Sequence, residues 1–297
     1  MPYSEHPVFN QPDEEVAVWR YYTSTQLISV FQNRGLYFNR SDKFSDPFEG
    51  VPHRDALIQD YIRSAVSKKT DKRLIDEGIA TPVGEYDPMS TRDRVFQHIN
   101  TIRQRAFLNC WHQNNSESIT MWNSYVQSGD GVLIKSTYDK LKSALDVYGD
   151  YTFYMGEVGY LPWLKSGTDE ELSDAERTNA FSNLVNKQEE YASESEFRVV
   201  ANLGPTELED SQTGFFMPTD LNEMIDEVRI SPDAPPWCTT EFWENILRKY
   251  KIRAEVRHSS LNQSPTDLLD DLNYDKIEEE VDDLYEEWVR EQDYLDS

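Results

Sequence analysis

Two cysteines in 297 residues, Cys110 and Cys238, are too few for a disulfide framework and have no zinc-ligand spacing. No stretch of about 18 apolar residues occurs, so no membrane-spanning helix is expected. The chain starts Met-Pro-Tyr-Ser-Glu-His, without a basic region leading into an apolar run, so no signal peptide is expected. These absences point to a protein of a reducing cytoplasm. Bases are also scarce: 29 Lys and Arg face 55 Asp and Glu, for a net charge of −26. Such a surface repels phosphate backbones, which argues against nucleic-acid binding.

The acid excess is partly local. Residues 264–297 hold 14 acids against Lys276 and Arg290, and the other 263 residues still carry −14. An excess spread this widely fits the acidic surface selected in a haloarchaeal cytoplasm. The alternative is an acidic face that mimics nucleic acid for a basic protein partner.

What the chain does have is concentrated between Asn109 and Tyr125. Two Trp, a His, a Cys, a Glu, a Met and a Tyr fall in those seventeen residues. Ala106-Phe107-Leu108 feeds the stretch as a buried strand. Ser116 reads as a helix N-cap with Glu117 in the first turn, where the helix dipole favours an acid. Met121, Trp122 and Tyr125 then share a helical face. The turn presents His112 and Glu117 to a ligand.

The remaining pattern predicts interleaved elements. Strands are expected near 15–22, 36–38, 132–136, 151–160, 195–201, 224–230 and 252–256. Helices are expected over 24–34, 53–67, 91–105, 138–145 and 239–250, with a long acidic helix or helix pair over 168–191. Residues 68–90 read as an excursion or loop. The loop Asp42–Gly50 places Asp46 and Glu49 around Phe48, either as an Asx turn and a core plug or as acids at a site. Irregular alternation with hairpin-length links argues an α+β fold, with a mainly antiparallel mixed sheet and interleaved helices. The expected organisation is a loose N-terminus over 1–14, one domain over 15–260 with a helical excursion at 53–106, and an acidic helical tail over 261–297. In that tail Ile277, Val281, Leu284 and Trp288 form an amphipathic stripe that would pack on the body or on a protein partner.

Three chemistries are open to these residues. Glu194 and Glu196, two apart on a strand, aim both carboxylates at one face and so favour a cation or an electron-poor substrate. Arg20 is the nearest candidate cation, or a bidentate phosphate ligand; Arg198 can instead neutralise the glutamates. Cys110 and His112 share a strand face as thiol and base, although a cysteine after Phe107-Leu108 also reads as a small core residue. His112, Glu117 and Asp46 are the possible ligands of a hydrolytic metal, without the spacing of a known metal motif.

Taken in order, Trp19-Arg20-Tyr21, Asp46-Pro47-Phe48-Glu49, Cys110-Trp111-His112, Glu117-Ser118 with Met121-Trp122 and Tyr125, Gly131-Val132 and Glu194-Ser195-Glu196-Phe197-Arg198 resemble the prokaryotic domain-of-unknown-function 2971 family over roughly residues 15–260. An early Arg, a middle Ser and a late Glu-x-Glu are also similar, more distantly, to the arginine–serine–glutamate pattern of ADP-ribosyltransferases. That likeness implies NAD as substrate, gripped by Arg20 and supported by Ser136, with Glu196 steadying the ribose as nicotinamide leaves. Glu194, from the paired glutamates, and His112 and Glu117, from the turn, complete the candidate catalytic set. Tyr21 and Arg198, beside Arg20 and Glu196 in sequence, are candidate NAD-binding residues too, with Trp122 or Tyr125 stacking on nicotinamide. Ser136-Thr137 ends a strand here, whereas the motif usually begins one. The resulting expectation is an NAD-using transferase-like enzyme or effector in a defence or toxin–antitoxin setting, with no metal cofactor. The alternatives are a metal-dependent nuclease or hydrolase, or a module that binds a small nucleotide-like ligand without turnover.

Overall fold

The computed structural model describes residues 3–79, 89–126, 129–146, 152–165, 172, 179, 181–202, 212–264, 266, 269 and 272–295. It divides into two compact units, residues 1–258 and 259–297.

The first unit is an α+β fold on a mixed, mostly antiparallel nine-stranded sheet. Strand β1 (Ala17–Thr23) leads into helix α1 (Ser24–Asn33), capped by Thr23, which exchanges hydrogen bonds with Gln26 in a capping box. Strand β2 (Gly35–Arg40) follows. Helices α2 (Arg54–Asp76) and α3 (Thr91–Arg105) come next, then β3 (Ala106–Gln113) and α4 (Ile119–Tyr125). The chain continues through β4 (Gly131–Thr137), α5 (Tyr138–Asp146), β5 (Thr152–Glu157), β6 (Gly159–Leu161), α6 (Ser182–Val185) and β7 (Asn186–Gln188). It closes with β8 (Glu196–Asn202), β9 (Gly214–Pro218), α7 (Leu221–Met224), β10 (Glu227–Ile230), α8 (Thr240–Tyr250) and β11 (Glu255–His258).

The sheet order is β11-β10-β4-β1-β3-β2-β9, with β8 on the other edge of β3 and β5 outside β8. All these pairings are antiparallel except β10 with β11. One face carries the main core. Val18, Val132, Ile134, Phe107, Phe197 and Val199 pack there against Leu27 and Phe31 of α1, Leu141 of α5, Met224 of α7 and Trp243 of α8. The other face is split. Trp19, Tyr21, Met121, Trp122 and Leu133 form one apolar cluster, and Val8, Phe9, Leu108, Val185 and Val200 form another.

Several elements depart from the sequence pattern. From Tyr3 on, the N-terminal segment is tied to the body: Val8 and Phe9 are buried, Phe9 stacks on Tyr154, and Tyr3 bridges Phe153. Helix α2 continues to Asp76, past the expected limit at 67, yet no residue of it is buried. A helix with no buried face leaves little apolar periodicity to read. Helix α4 is capped by Ser118, which accepts from the Met121 amide, and not by Ser116. Within the expected helix over 168–191, residues 182–194 form a short helix, a short strand and a 3-10 turn, while most of 166–180 lies outside the described residues. Strand β9 was not anticipated; its partner is β2.

The second unit holds helix α9 (Tyr274–Leu295), longer than the expected 277–288 segment. Of its amphipathic stripe, Val281, Leu284 and Trp288 are each more than half exposed, and Tyr285 stacks on Trp288. Among the described residues no helix is long and apolar enough to cross a membrane.

Candidate functional site

The geometry of the site starts from a fork in the sheet. Strand β3 is paired along its whole length with β8 on one edge. On the other edge it meets β1 only at Val18↔Gln113 and Trp19↔His112, and β2 only at Asn39↔Leu108 and Arg40↔Phe107. Between those contacts, at Asn109–Trp111, the two neighbours have parted. Side chains bridge the gap in place of a backbone ladder. Asn109 Nδ2 donates to the Tyr37 carbonyl at 2.8 Å, and Arg20 Nη1 donates to the Cys110 carbonyl at 3.1 Å.

A cavity of about 730 Å³ opens at this fork. Trp19, Arg20, Tyr21 and Tyr22 of β1 border it, with Gln26 and Ser29 of α1, Tyr37 and Asn39 of β2, and Phe216 of β9. Cys110, Trp111 and His112 of β3 contribute next, and Glu196 and Arg198 of β8 lie across from them. The lining is completed by Asp46 and Glu49 from one loop, Tyr125 from α4, and Lys187, Tyr191 and Glu194 from the segment before β8. Its size and its mix of aromatic walls with a few polar groups are those of a small-molecule site.

Most of the sequence-predicted residues meet here. Arg20, Tyr21, His112, Tyr125, Glu194, Glu196 and Arg198 all border the cavity, with Asp46 and Glu49 beside them. Three do not. Ser136 is fully buried on β4 opposite Val18, and its hydroxyl turns back to the Thr137 carbonyl. Trp122 is buried, with its Nε1 donating to Glu117 at 2.9 Å. Glu117 accepts from Arg229 Nη1 at 2.9 Å, so the acid expected in the turn of a site holds α4 to β10.

Arg198 is the electrostatic centre of the β8 wall. Its side chain is wholly buried. Nε and Nη2 donate to Glu196 at 2.7 and 3.1 Å, and Nη1 and Nη2 donate to Glu49 at 2.7 and 2.9 Å. Nη1 also reaches the Leu184 carbonyl at 2.7 Å. A guanidinium has five N–H groups, and these five bonds match that capacity. Burial pushes the Glu196 carboxyl upward, but Arg198 and then Lys187 more than offset it, and the group lies below its ordinary value. For Glu49 burial wins over Arg198, and that carboxyl is raised. Lys187 donates to Glu194 at 2.7 Å, sits 3.6 Å from Glu196 and lies over the Tyr191 ring.

His112 has a defined tautomer. Its Nδ1 lies 2.6 Å from the Glu194 carbonyl oxygen, which can only accept, so Nδ1 carries the hydrogen. Nε2 is left as the acceptor, facing Asn114 Nδ2 at 3.4 Å. Cys110 is unsuited to act as a nucleophile: burial, then the Glu196 charge, pushes its thiol well above the usual range, whereas the thiolate is the reactive form. Among the described residues no group of three or more His, Cys, Asp or Glu is placed to hold a metal ion.

The β1 wall is different. Arg20 is half-buried; it donates to the Cys110 carbonyl and interacts with the Tyr22 hydroxyl. Its Cζ lies 5.3 Å from the Tyr22 ring centroid and 6.0 Å from that of Trp111. The Tyr22 hydroxyl is buried and makes no hydrogen bond of normal geometry. Tyr21 accepts from the Ser118 amide at 2.8 Å, and burial pushes its phenol up to about 12. Tyr22, Lys187, Tyr191 and Trp111 were not singled out as site residues by the sequence. Tyr22 was the most accessible of them, because it stands two residues from Arg20 on one strand.

Comparison with protein-family models, curated proteins and solved structures finds no match to this chain.

Proposed function

We propose that the protein binds a small nucleotide-like ligand in the cavity at the sheet fork, with NAD the first candidate. The observation that supports this is Arg20, a half-buried guanidinium on the cavity wall whose polar partners are only the Cys110 carbonyl and the Tyr22 hydroxyl, and no carboxylate, among the described residues. Such a fork of donors suits a phosphate or carboxylate. Trp111, Tyr22 and Tyr125 supply flat surfaces for a base or ring.

Binding is better supported than turnover at Glu196. A carboxylate that is to steady an oxocarbenium-like ribose needs a free oxygen, and both oxygens of Glu196 are taken by Arg198. Ser136, the supporting residue of the transferase pattern, lies away from the cavity. One observation keeps a transferase reading open: Glu194 borders the same cavity and its carboxylate is held by Lys187 alone among the described residues. Under that reading Glu194 is the acid facing the ribose.

Titration of the full chain with NAD, ADP-ribose and AMP, alongside an assay for released nicotinamide, tests both. We expect saturable binding of at least one of them without nicotinamide release. Arg20→Met should weaken binding roughly 10- to 100-fold, the range of a charge-assisted hydrogen bond. Nicotinamide release that Glu194→Gln abolishes would favour the transferase. No binding of any of the three would overturn the proposal.

A further inference from the structure

The two walls of the cavity carry opposite charge, and topology explains why. Strands β1 and β8 lie on opposite edges of β3. Arg20 therefore enters the cavity from one side of β3 and Glu196 and Arg198 from the other, where Lys187 links Glu196 to Glu194 of the preceding turn. On the β8 side Glu49, Glu194 and Glu196 face two cations, Lys187 and Arg198, and Asp46, from the same loop as Glu49, also lines the cavity with one oxygen accepting from the Phe48 amide. That wall is negative by formal charge, and stays negative if Glu49 carries a proton. On the β1 side Arg20 faces no carboxylate within ion-pair distance among the described residues, and beside it the buried Tyr22 hydroxyl lacks a hydrogen bond of normal geometry.

A guanidinium without a carboxylate partner, beside a buried hydroxyl that interacts with Arg20 alone among the described residues, suits an anion with acceptor oxygens. An acid-rich wall across the cavity repels a second anion and favours positive charge or a donor-rich group. Resting on the ligand-binding proposal above, we infer that the ligand is bipolar. One anionic group, a phosphate or carboxylate, seats on Arg20 and Tyr22. A cationic or donor-rich group lies toward Asp46 and Glu194. The charge split selects against ligands with an anion at each end and against neutral rings at the acid wall.

Nicotinamide nucleotides separate the two charges cleanly. The oxidised mononucleotide carries a phosphate and a cationic ring, its reduced form keeps the phosphate on a neutral ring, and the riboside keeps the cationic ring without phosphate. Calorimetric titration of the full chain should rank the oxidised mononucleotide tightest, by about tenfold over each of the others, the effect of one charged contact. Arg20→Met should bring the mononucleotide down to the riboside. Tyr22→Phe, which keeps the ring and the packing, should weaken the two phosphate-bearing ligands several-fold and leave the riboside unchanged. Asp46→Asn with Glu194→Gln should erase the preference for the oxidised ring. Equal binding of the oxidised and reduced forms, or phosphate ligands indifferent to Arg20→Met and Tyr22→Phe, would overturn the bipolar assignment while leaving the cavity a ligand site. Failure of all three probes together with NAD, ADP-ribose and AMP would overturn both.

Discussion

Arg198 grips Glu49, 149 positions earlier in the chain, through two parallel hydrogen bonds of 2.7 and 2.9 Å. Both side chains are essentially inaccessible, at 0% and 2% exposure, so this pair fastens the Asp46–Gly50 loop to the middle of β8 without help from solvent. Removing Glu49 leaves Arg198 its Glu196 partner but strips two of its five acceptors, so two charged N–H groups stay buried and unpaired. Glu49→Ala should therefore cost about 3–5 kcal/mol of stability, measured by urea unfolding. A loss under about 1 kcal/mol would mean that water or another group takes the carboxylate's place.

The same cluster gives the protein an acid limb whose sign differs between its two acids. Glu196 lies below its ordinary value near 4.5, so the stability it contributes is present above that pH and lost as the pH falls through its folded value. Glu49 lies above 4.5, so its contribution is present below that pH and lost as the pH rises through its folded value. Glu196→Gln should flatten the fall in stability on acidification below about pH 4.5. Glu49→Gln should steepen the rise in stability as the pH climbs above 4.5. Unfolding free energies measured across pH 3–7 decide this, and identical pH profiles for the two variants would contradict the assignment.

Glu117 should behave as a structural residue. It binds Arg229 and Trp122 and does not border the cavity, and Arg229 keeps Glu227 when Glu117 is lost. Glu117→Ala should cost about 1–3 kcal/mol of stability, mainly by leaving the buried Trp122 Nε1 unpaired. Ligand affinity should be unchanged. An affinity loss with normal stability would place Glu117 in the site after all.

A net charge of −26 makes the fold salt-dependent. Repulsion among surface acids is screened over about 3 Å at 1 M salt, so the melting temperature should climb between about 0.1 and 2 M KCl. A flat or falling curve would count against a halophilic surface.

The β1–α1–β2 run was legible in the sequence because alternation and a Thr23 capping box are local signals. Helix α3 matched its expected bounds for the same reason, with Val95 and Ile99 buried in its stripe. The convergence of Arg20, His112 and Glu196 on one cavity followed from polar side chains standing on otherwise apolar strands. What the sequence could not express was pairing. Trp122 and Glu117 looked like site residues because they are costly to place, but each satisfies the other across five positions, a partnership that helical spacing alone does not declare. Ser136 carried a motif resemblance with no burial signal to warn that it lies opposite Val18 in the core. The fork itself depends on where β1 and β2 leave β3, which is a property of long-range register.

That fork also sets where the molecule should give way. Strand β1 is laddered to β4 through seven residue pairs, from Ala17↔Thr137 to Thr23↔Gly131, but to β3 through two. The sheet is thus two panels joined by a seam one turn of the pleat long at Trp19 and His112. Amide hydrogens along that seam should exchange with solvent ahead of those in the β1–β4 ladder. A ligand bridging Arg20 to the β8 wall would clamp the panels together, so occupancy of the cavity should be visible as slowed exchange at the seam, in a protein whose average shape need not change.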